Sequence, residues 1–344
     1  MKAIIVLVVS LSLVSACADS GGTSGSVDVA TSTSTTARAP STSPVETSDT
    51  VSPSFDPDDA AWVIQQDAVV VVVGADGIGS FSPTADVPGD DQNNPDWSPD
   101  GSQVTFTVHD GRDDLWVVDV DGSDAHKIFD CESPCEFLDD PAWSPDGTSI
   151  AVCKMIETED GHIGSLIRVD VEAGGETTLA AFAPEDFCAG PRWSPDGSEI
   201  VLELVHRPGT SLLDEPIGVT LAIVDLTADP STITALTDSA LFAATADWNR
   251  AGDLIVYSAL ATPDATAPDL FTIRPDGSAL TRLTTLAEEG ESAVEPTFDL
   301  DGSSVVFVDD AVGSLLRVDL ATGETTAAFS TDLFGVHPRP RPIT

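Results

Sequence analysis

Basic side chains are scarce in this chain. Fourteen Lys and Arg face 58 Asp and Glu, a formal net charge of −44, and the only lysines are Lys2, Lys127 and Lys154. Nucleic-acid binding draws on dense positive charge, so this balance excludes it. No apolar run approaches the ~20 residues that cross a bilayer as a helix; the N-terminal one stretches only from Ala3 to Val14. No Gly-x-Ser-x-Gly elbow is present, which removes a serine-hydrolase reading. Between Ala18 and Ser54 there is no aromatic residue, and Val is the only branched aliphatic. A segment so poor in apolar surface cannot offset the entropy of ordering and is expected to be a disordered linker rich in Ser and Thr.

What is present is a repeat. Asp96-Trp97-Ser98-Pro99-Asp100-Gly101, Ala142-Trp143-Ser144-Pro145-Asp146-Gly147 and Arg192-Trp193-Ser194-Pro195-Asp196-Gly197 are near copies, and Asp247-Trp248-Asn249-Arg250-Ala251-Gly252 and Thr297-Phe298-Asp299-Leu300-Asp301-Gly302 are degenerate ones. The aromatic residues stand 46, 50, 55 and 50 residues apart, the length of a four-stranded propeller blade. Phe55-Asp56-Pro57-Asp58-Asp59 supplies a sixth copy 42 residues upstream of Trp97. The expected fold is all-β, a closed six-bladed β-propeller of four-stranded antiparallel blades.

One unit can be read through. Pro95 to Ser98 is a short first strand; Gln103 to Val108 alternates with Val104, Phe106 and Val108 on one face; Leu115 to Val120 and Ala125 to Phe129 follow. Period-two alternation broken by Asp-Gly turns is the signature of antiparallel strands. The third strands of the other units align at 69–73, 166–169, 221–224, 270–273 and 315–318. The repeated aromatic should fill the gap between neighbouring sheets, while Pro, Asp and Gly set a tight turn. In Val336-His337-Pro338-Arg339-Pro340-Arg341-Pro342-Ile343 the prolines stand two apart, leaving donors on one strand edge only. This tail is expected to complete the first blade against residues near 62–82, in competition with Ser52 to Phe55, with an exposed polyproline segment as the alternative.

The repeated Trp-Ser-Pro-Asp-Gly, followed by a strand and a Val-Asp-x-Asp-Gly hairpin, resembles the TolB-like propeller family, also seen in prolyl oligopeptidase-type enzymes, over residues 55–335. That resemblance implies a protein-binding platform of the cell envelope. At the N-terminus, Met1-Lys2 and the apolar run end in Val14-Ser15-Ala16-Cys17, which resembles a bacterial lipobox. The implied organisation is a signal peptide at 1–16, a linker at 17–53 and the propeller at 54–344, with lipidated Cys17 holding the protein to the extracytoplasmic side of the cell membrane. The linker would span ~30 to 35 Å as a coil.

Four cysteines remain, an even number for an oxidising compartment. Three pairings are possible; Cys131 with Cys135 across an interblade loop, and Cys153 with Cys188 within or beside the third blade, are the expected ones. No His stands at zinc-finger spacing from them.

Function is expected on the face of long, variable loops, such as 155–165, and interblade stretches, such as 130–140 and 182–190. Asp139, Asp140, Glu157, Glu159, Asp160 and Glu215 would line an acidic mouth there, with His109, His162 and His206 beside them. The first reading is a non-enzymatic, membrane-tethered recognition propeller that binds an envelope or secreted protein at this mouth, with calcium as a candidate bridging cation because carboxylate oxygens suit that ion. The alternative is a metal-assisted polysaccharide lyase or hydrolase, for which the three histidines would have to converge. Asp119-Val120-Asp121-Gly122 is a hairpin turn rather than a calcium loop, since the later ligands of such a loop are missing.

Overall fold

The computed structural model describes residues 55–89, 91–209, 215–329 and 335–342. The expected signal peptide, Cys17 and the linker lie outside the described residues. Six antiparallel sheets of four strands each are present. Their innermost strands, taken from blade 1 to blade 6, are Val336–Pro340, Asp91–Trp97, Cys135–Trp143, Asp186–Trp193, Ala244–Trp248 and Ala293–Phe298. Each packs against the innermost strand of the next blade, and that of blade 6 meets that of blade 1, which closes the ring.

Blade 1 is assembled from both ends of the described chain. Val336–Pro340 pairs with Ala60–Gln66, Trp62 facing Pro340 and Val63 facing Arg339. The closing strand is therefore C-terminal, and the exposed-polyproline alternative is overturned. Residues 52–54 of the competing segment lie outside the described residues, whereas Phe55 is outside any strand and packs into the core between blades 1 and 2. Its repeat copy keeps the turn but has lost the strand: Pro57–Asp59 is a single 3-10 turn capped by Asp56.

Six apolar clusters occupy the six gaps between blades, and a seventh joins Met155 of blade 3 to Phe187 and Val205 of blade 4. The repeated aromatic sits in each gap from the second to the sixth blade and ties its blade to the one before. Trp97 Nε1 donates to Arg339 O at 3.2 Å, Trp193 Nε1 to Ala142 O at 3.1 Å and Trp248 Nε1 to Arg192 O at 3.1 Å. The turn after each aromatic is locked locally. Asp100 Oδ1 accepts from Ser98 Oγ, Ser102 N and Ser102 Oγ at 2.7, 3.0 and 2.7 Å, and Gly101 takes a φ of 70°, which a Cβ would strain. Asp146 and Asp196 repeat the lock, and the accepted hydrogen bonds hold Asp196 down at about 2. Part of the acidity is thus turn chemistry.

One expectation is corrected, and the expected cysteine pairing is borne out. Stretches 155–165, 130–140 and 182–190 are largely strand, because the Ser149–Thr158 and Gly161–Asp170 hairpin turns within two residues and the innermost strands begin at Cys135 and Asp186. The disulfides are Cys131–Cys135, leading into the innermost strand of blade 3, and Cys153–Cys188, which joins blade 3 to blade 4. They accord with an oxidising, extracytoplasmic compartment. Among the described residues no helix is long and apolar enough to cross a membrane.

Candidate functional site

Every innermost strand carries a bulge at the same place, and that of blade 3 has a second one near Cys135. The residue three before the aromatic position has a left-handed backbone in all six blades: His337, Asn94, Asp140, Gly190, Thr245 and Glu295, with φ between 46° and 56°. Pairing with the second strand slips at each of these points. A bulge re-aims side chains, and here it gathers polar groups around the propeller axis.

That axial layer is dense with buried charge. His337 donates its backbone N–H to Glu295 Oε2 at 2.5 Å, and its ring lies 3.7 Å from Glu295 Oε1 and 3.9 Å from Asp140 Oδ1. Blade 4 contributes no side chain at its bulge, Gly190; Glu203 from the adjacent strand fills the space, its Oε1 3.0 Å from where a Cβ on Gly190 would stand. The same Oε1 accepts from Thr245 N at 2.7 Å. Burial pushes Glu203 up to about 8, and burial together with the charges of Asp140 and Glu203 drives Asp139 well above the ordinary carboxylate range.

Asp139 and Asp140 therefore do not line an exposed mouth. Both are strand residues only 3% exposed. Glu157, Glu159, Asp160 and Glu215 are exposed. The three histidines stand in three different blades, each against a carboxylate of its own blade: His109 Nδ1 with Asp113 at 2.7 Å, His162 Nε2 with Glu136 at 3.9 Å, and His206 Nδ1 with Asp186 at 2.8 Å, whose Nε2 also meets Thr220 Oγ1 at 2.9 Å. Among the described residues no group of three His, Cys, Asp or Glu is placed to hold a metal ion.

The position just before each aromatic forms a second ring: Arg339, Asp96, Ala142, Arg192, Asp247 and Thr297 in blade order. Two arginines thus face each other across the axis, and so do two aspartates. The aspartates reach sideways to the next blade. Asp96 Oδ2 accepts from Trp143 N at 2.8 Å, and Asp247 Oδ2 from Thr297 Oγ1 and Phe298 N at 2.8 and 3.1 Å. Burial raises Asp96 against the pull of Arg192 and Arg339, and burial with the nearby charge of Arg192 lowers Arg339.

Above this ring opens a funnel of about 430 Å³. Its floor includes Asp96, Asp247 and Arg339; its wall is formed by Trp97, Trp248 and Phe298; its rim is made by Pro99, Pro145, Pro195, Arg250, Leu300 and Pro342, each two residues after the aromatic position of its blade. The funnel lies on the face of short stereotyped turns, not on the loop-rich face. Sequence reasoning missed it because each blade supplies only one to four residues, from positions that look like scaffolding.

Neither a family model nor a curated protein matches the sequence. Solved structures do. TolB from Acinetobacter baumannii superposes with a TM-score of 0.60 at 15% identity, over 82% of this chain and 66% of that one, so this chain spans just under two thirds of its length. A nidogen/laminin complex contains a chain matched with a TM-score of 0.60 at 10% identity, over 82% of this chain and 98% of that one. An oligogalacturonate lyase in complex with manganese matches with a TM-score of 0.53 at 16% identity, over 75% and 70%. At these identities the likeness is one of fold, and by fold this chain is a TolB-like six-bladed β-propeller.

Proposed function

We propose that this chain is a non-enzymatic recognition propeller of the cell envelope, tethered through lipidated Cys17, that binds a segment of an envelope or secreted protein in its axial funnel. The supporting observation is the funnel: a concave, aromatic-walled, proline-rimmed cavity of about 430 Å³ with a few polar groups at its floor, the composition typical of ligand sites. The nidogen/laminin chain is a precedent for a propeller of this shape in a protein complex. Exposed Glu157, Glu159, Asp160 and Glu215 leave the loop-rich face as a second contact for a basic segment, directly or through calcium. A lyase reading would need metal ligands, and His109, His162 and His206 are each turned to a carboxylate of their own blade.

The test is site-specific photo-crosslinking in cells, with the reactive group at Leu300 on the rim or at Ile233, which is exposed on the outermost strand of blade 4. A discrete protein adduct from Leu300 that Ile233 does not give is the expected result. No adduct at Leu300, or the same set from both positions, overturns the funnel as the binding site.

A further inference from the structure

In a chain of such acidity, the unspent hydrogen-bonding capacity of the funnel belongs to arginine. Arg339 is 9% exposed, yet its side chain makes one hydrogen bond among the described residues, from Nη1 to the carbonyl of its neighbour Pro338 at 3.1 Å, and its Nε has no partner. Arg192, opposite it across the ring, repeats this: 7% exposed, Nη1 to Pro191 O at 2.8 Å, Nε without a partner. Neither forms a salt bridge among the described residues. Asp96, Asp247 and Asp140 offset the charge of Arg339 through space, but two guanidinium groups held this way still leave a demand for an acceptor, because a buried donor without a partner bears the full cost of its desolvation.

The carboxylates of the cavity do not meet that demand. Asp96 and Asp247 are held by backbone N–H groups of the next blade, and Asp299 is paired with Arg317 at 3.0 Å. Arg341, by contrast, donates through Nε and Nη1 to the carbonyls of Gly101, Pro57, Asp58 and Ala60, so a guanidinium with a single hydrogen bond is not the rule for this tail. On the rim, Arg250 is exposed and makes no ion pair among the described residues.

We propose that the funnel takes the C-terminus of a partner protein, its last apolar side chain against the aromatic wall and its free α-carboxylate received by Arg339. This rests on the reading of the funnel as a protein-binding site and names what that site recognises. Guanidinium and carboxylate match in charge and in planar, forked geometry. A chain end is favoured over an internal Asp or Glu by shape. His337, Asp140 and Glu295, three positions before the aromatic position, form with Glu203 a buried layer of the axis, which favours entry of a chain end over passage of a continuous chain.

The test is calorimetric titration of the full chain with pooled acetylated tetrapeptides of apolar sequence, prepared as the free acid, as the C-terminal amide, and as amides containing one internal Asp. The free acids should bind about tenfold or more tightly than the amides, the worth of a charge-assisted hydrogen bond. Arg339→Gln should abolish the difference and Arg250→Gln should reduce it. If Arg339→Gln does not fold, the acid-to-amide ratio in the parent chain and in Arg250→Gln decides. Equal binding of acid and amide overturns the carboxylate proposal but leaves the funnel as a peptide site, and equal binding of the internal-Asp amides overturns the chain-end source. A complete absence of binding by all three pools, alongside a Leu300 crosslink, overturns the proposal alone; the same absence with no crosslink overturns the funnel reading as well.

Discussion

Asp96 in blade 2 accepts a hydrogen bond from the backbone N–H of Trp143 in blade 3 at 2.8 Å. Asp247 does the same for Phe298 one blade further from its own, at 3.1 Å, so the residue before the aromatic ties its blade forward while the indole of the aromatic ties it back. Asp96→Ala leaves a buried backbone donor without a partner and should lower unfolding free energy by about 1 to 3 kcal/mol. Asp96→Asn keeps an acceptor and should lose less. Urea denaturation of the two variants measures the difference; equal losses would mean that the bond to Trp143 contributes nothing.

Glu203 gives the ring a pH dependence. In the folded chain it holds its proton up to about 8, against an ordinary value of 4.5. Between those values the folded state binds a proton that the unfolded state has released, so stability is greatest on the acid side of this window and falls as pH rises through it. Asp139, raised by burial and by Asp140 and Glu203, acts in the same direction. Glu203→Gln should flatten the decline, with a gain on the order of a few kcal/mol at pH 8 to 9 relative to the parent chain. Denaturant midpoints measured from pH 5 to 9 test this; parallel curves for parent and variant would reject it.

The blades were legible because their signal is local. Ser98, Asp100 and Ser102 lock one another within five residues, and the lock leaves the same letters in successive repeats. The axial layer was not legible, because the bulge at Asn94, Asp140, Gly190, Thr245 and Glu295 breaks the alternation by which strands are recognised. Asp139-Asp140 therefore reads as an acidic loop, although both residues are buried in a strand. The column three positions before each aromatic held the clue, since its occupants at Asn94, Asp140, Thr245 and Glu295 are all polar. The funnel was hidden for a different reason: its floor sets Arg339 beside Asp96, more than 200 positions away in sequence, and beside Asp247, and only ring closure brings them together.

Closure itself can be tested. The strand Val336–Pro340 pairs with Ala60–Gln66 and carries His337 and Arg339 into an axis to which the other blades bring Arg192 and the carboxylates of Asp96, Asp139, Asp140, Glu203, Asp247 and Glu295. Deleting residues 336–344 removes the pairing of one whole edge and the buried Arg339 guanidinium at once. The melting temperature should fall by roughly 10 °C or more, since each kcal/mol moves it by about 2 to 4 °C in a domain of this size class. A melt within a degree or two of the parent chain would show that the ring does not depend on its latch.

Two tryptophans in equivalent positions should respond differently to the same change. Trp97 donates its indole N–H to Arg339 O at 3.2 Å, whereas Trp143 Nε1, equally buried, has no partner. Replacing either by Phe removes volume from an interblade core, and that loss should be similar at the two sites. At Trp97 the change also removes the indole hydrogen bond to the carbonyl of Arg339, while at Trp143 it removes a donor whose desolvation was never compensated. Trp97→Phe should therefore be the more destabilising of the two by about 1 kcal/mol or more. Chemical denaturation of both variants gives the comparison directly, and a larger loss at Trp143 would mean that cavity shape, not the indole hydrogen bond, governs the repeated aromatic.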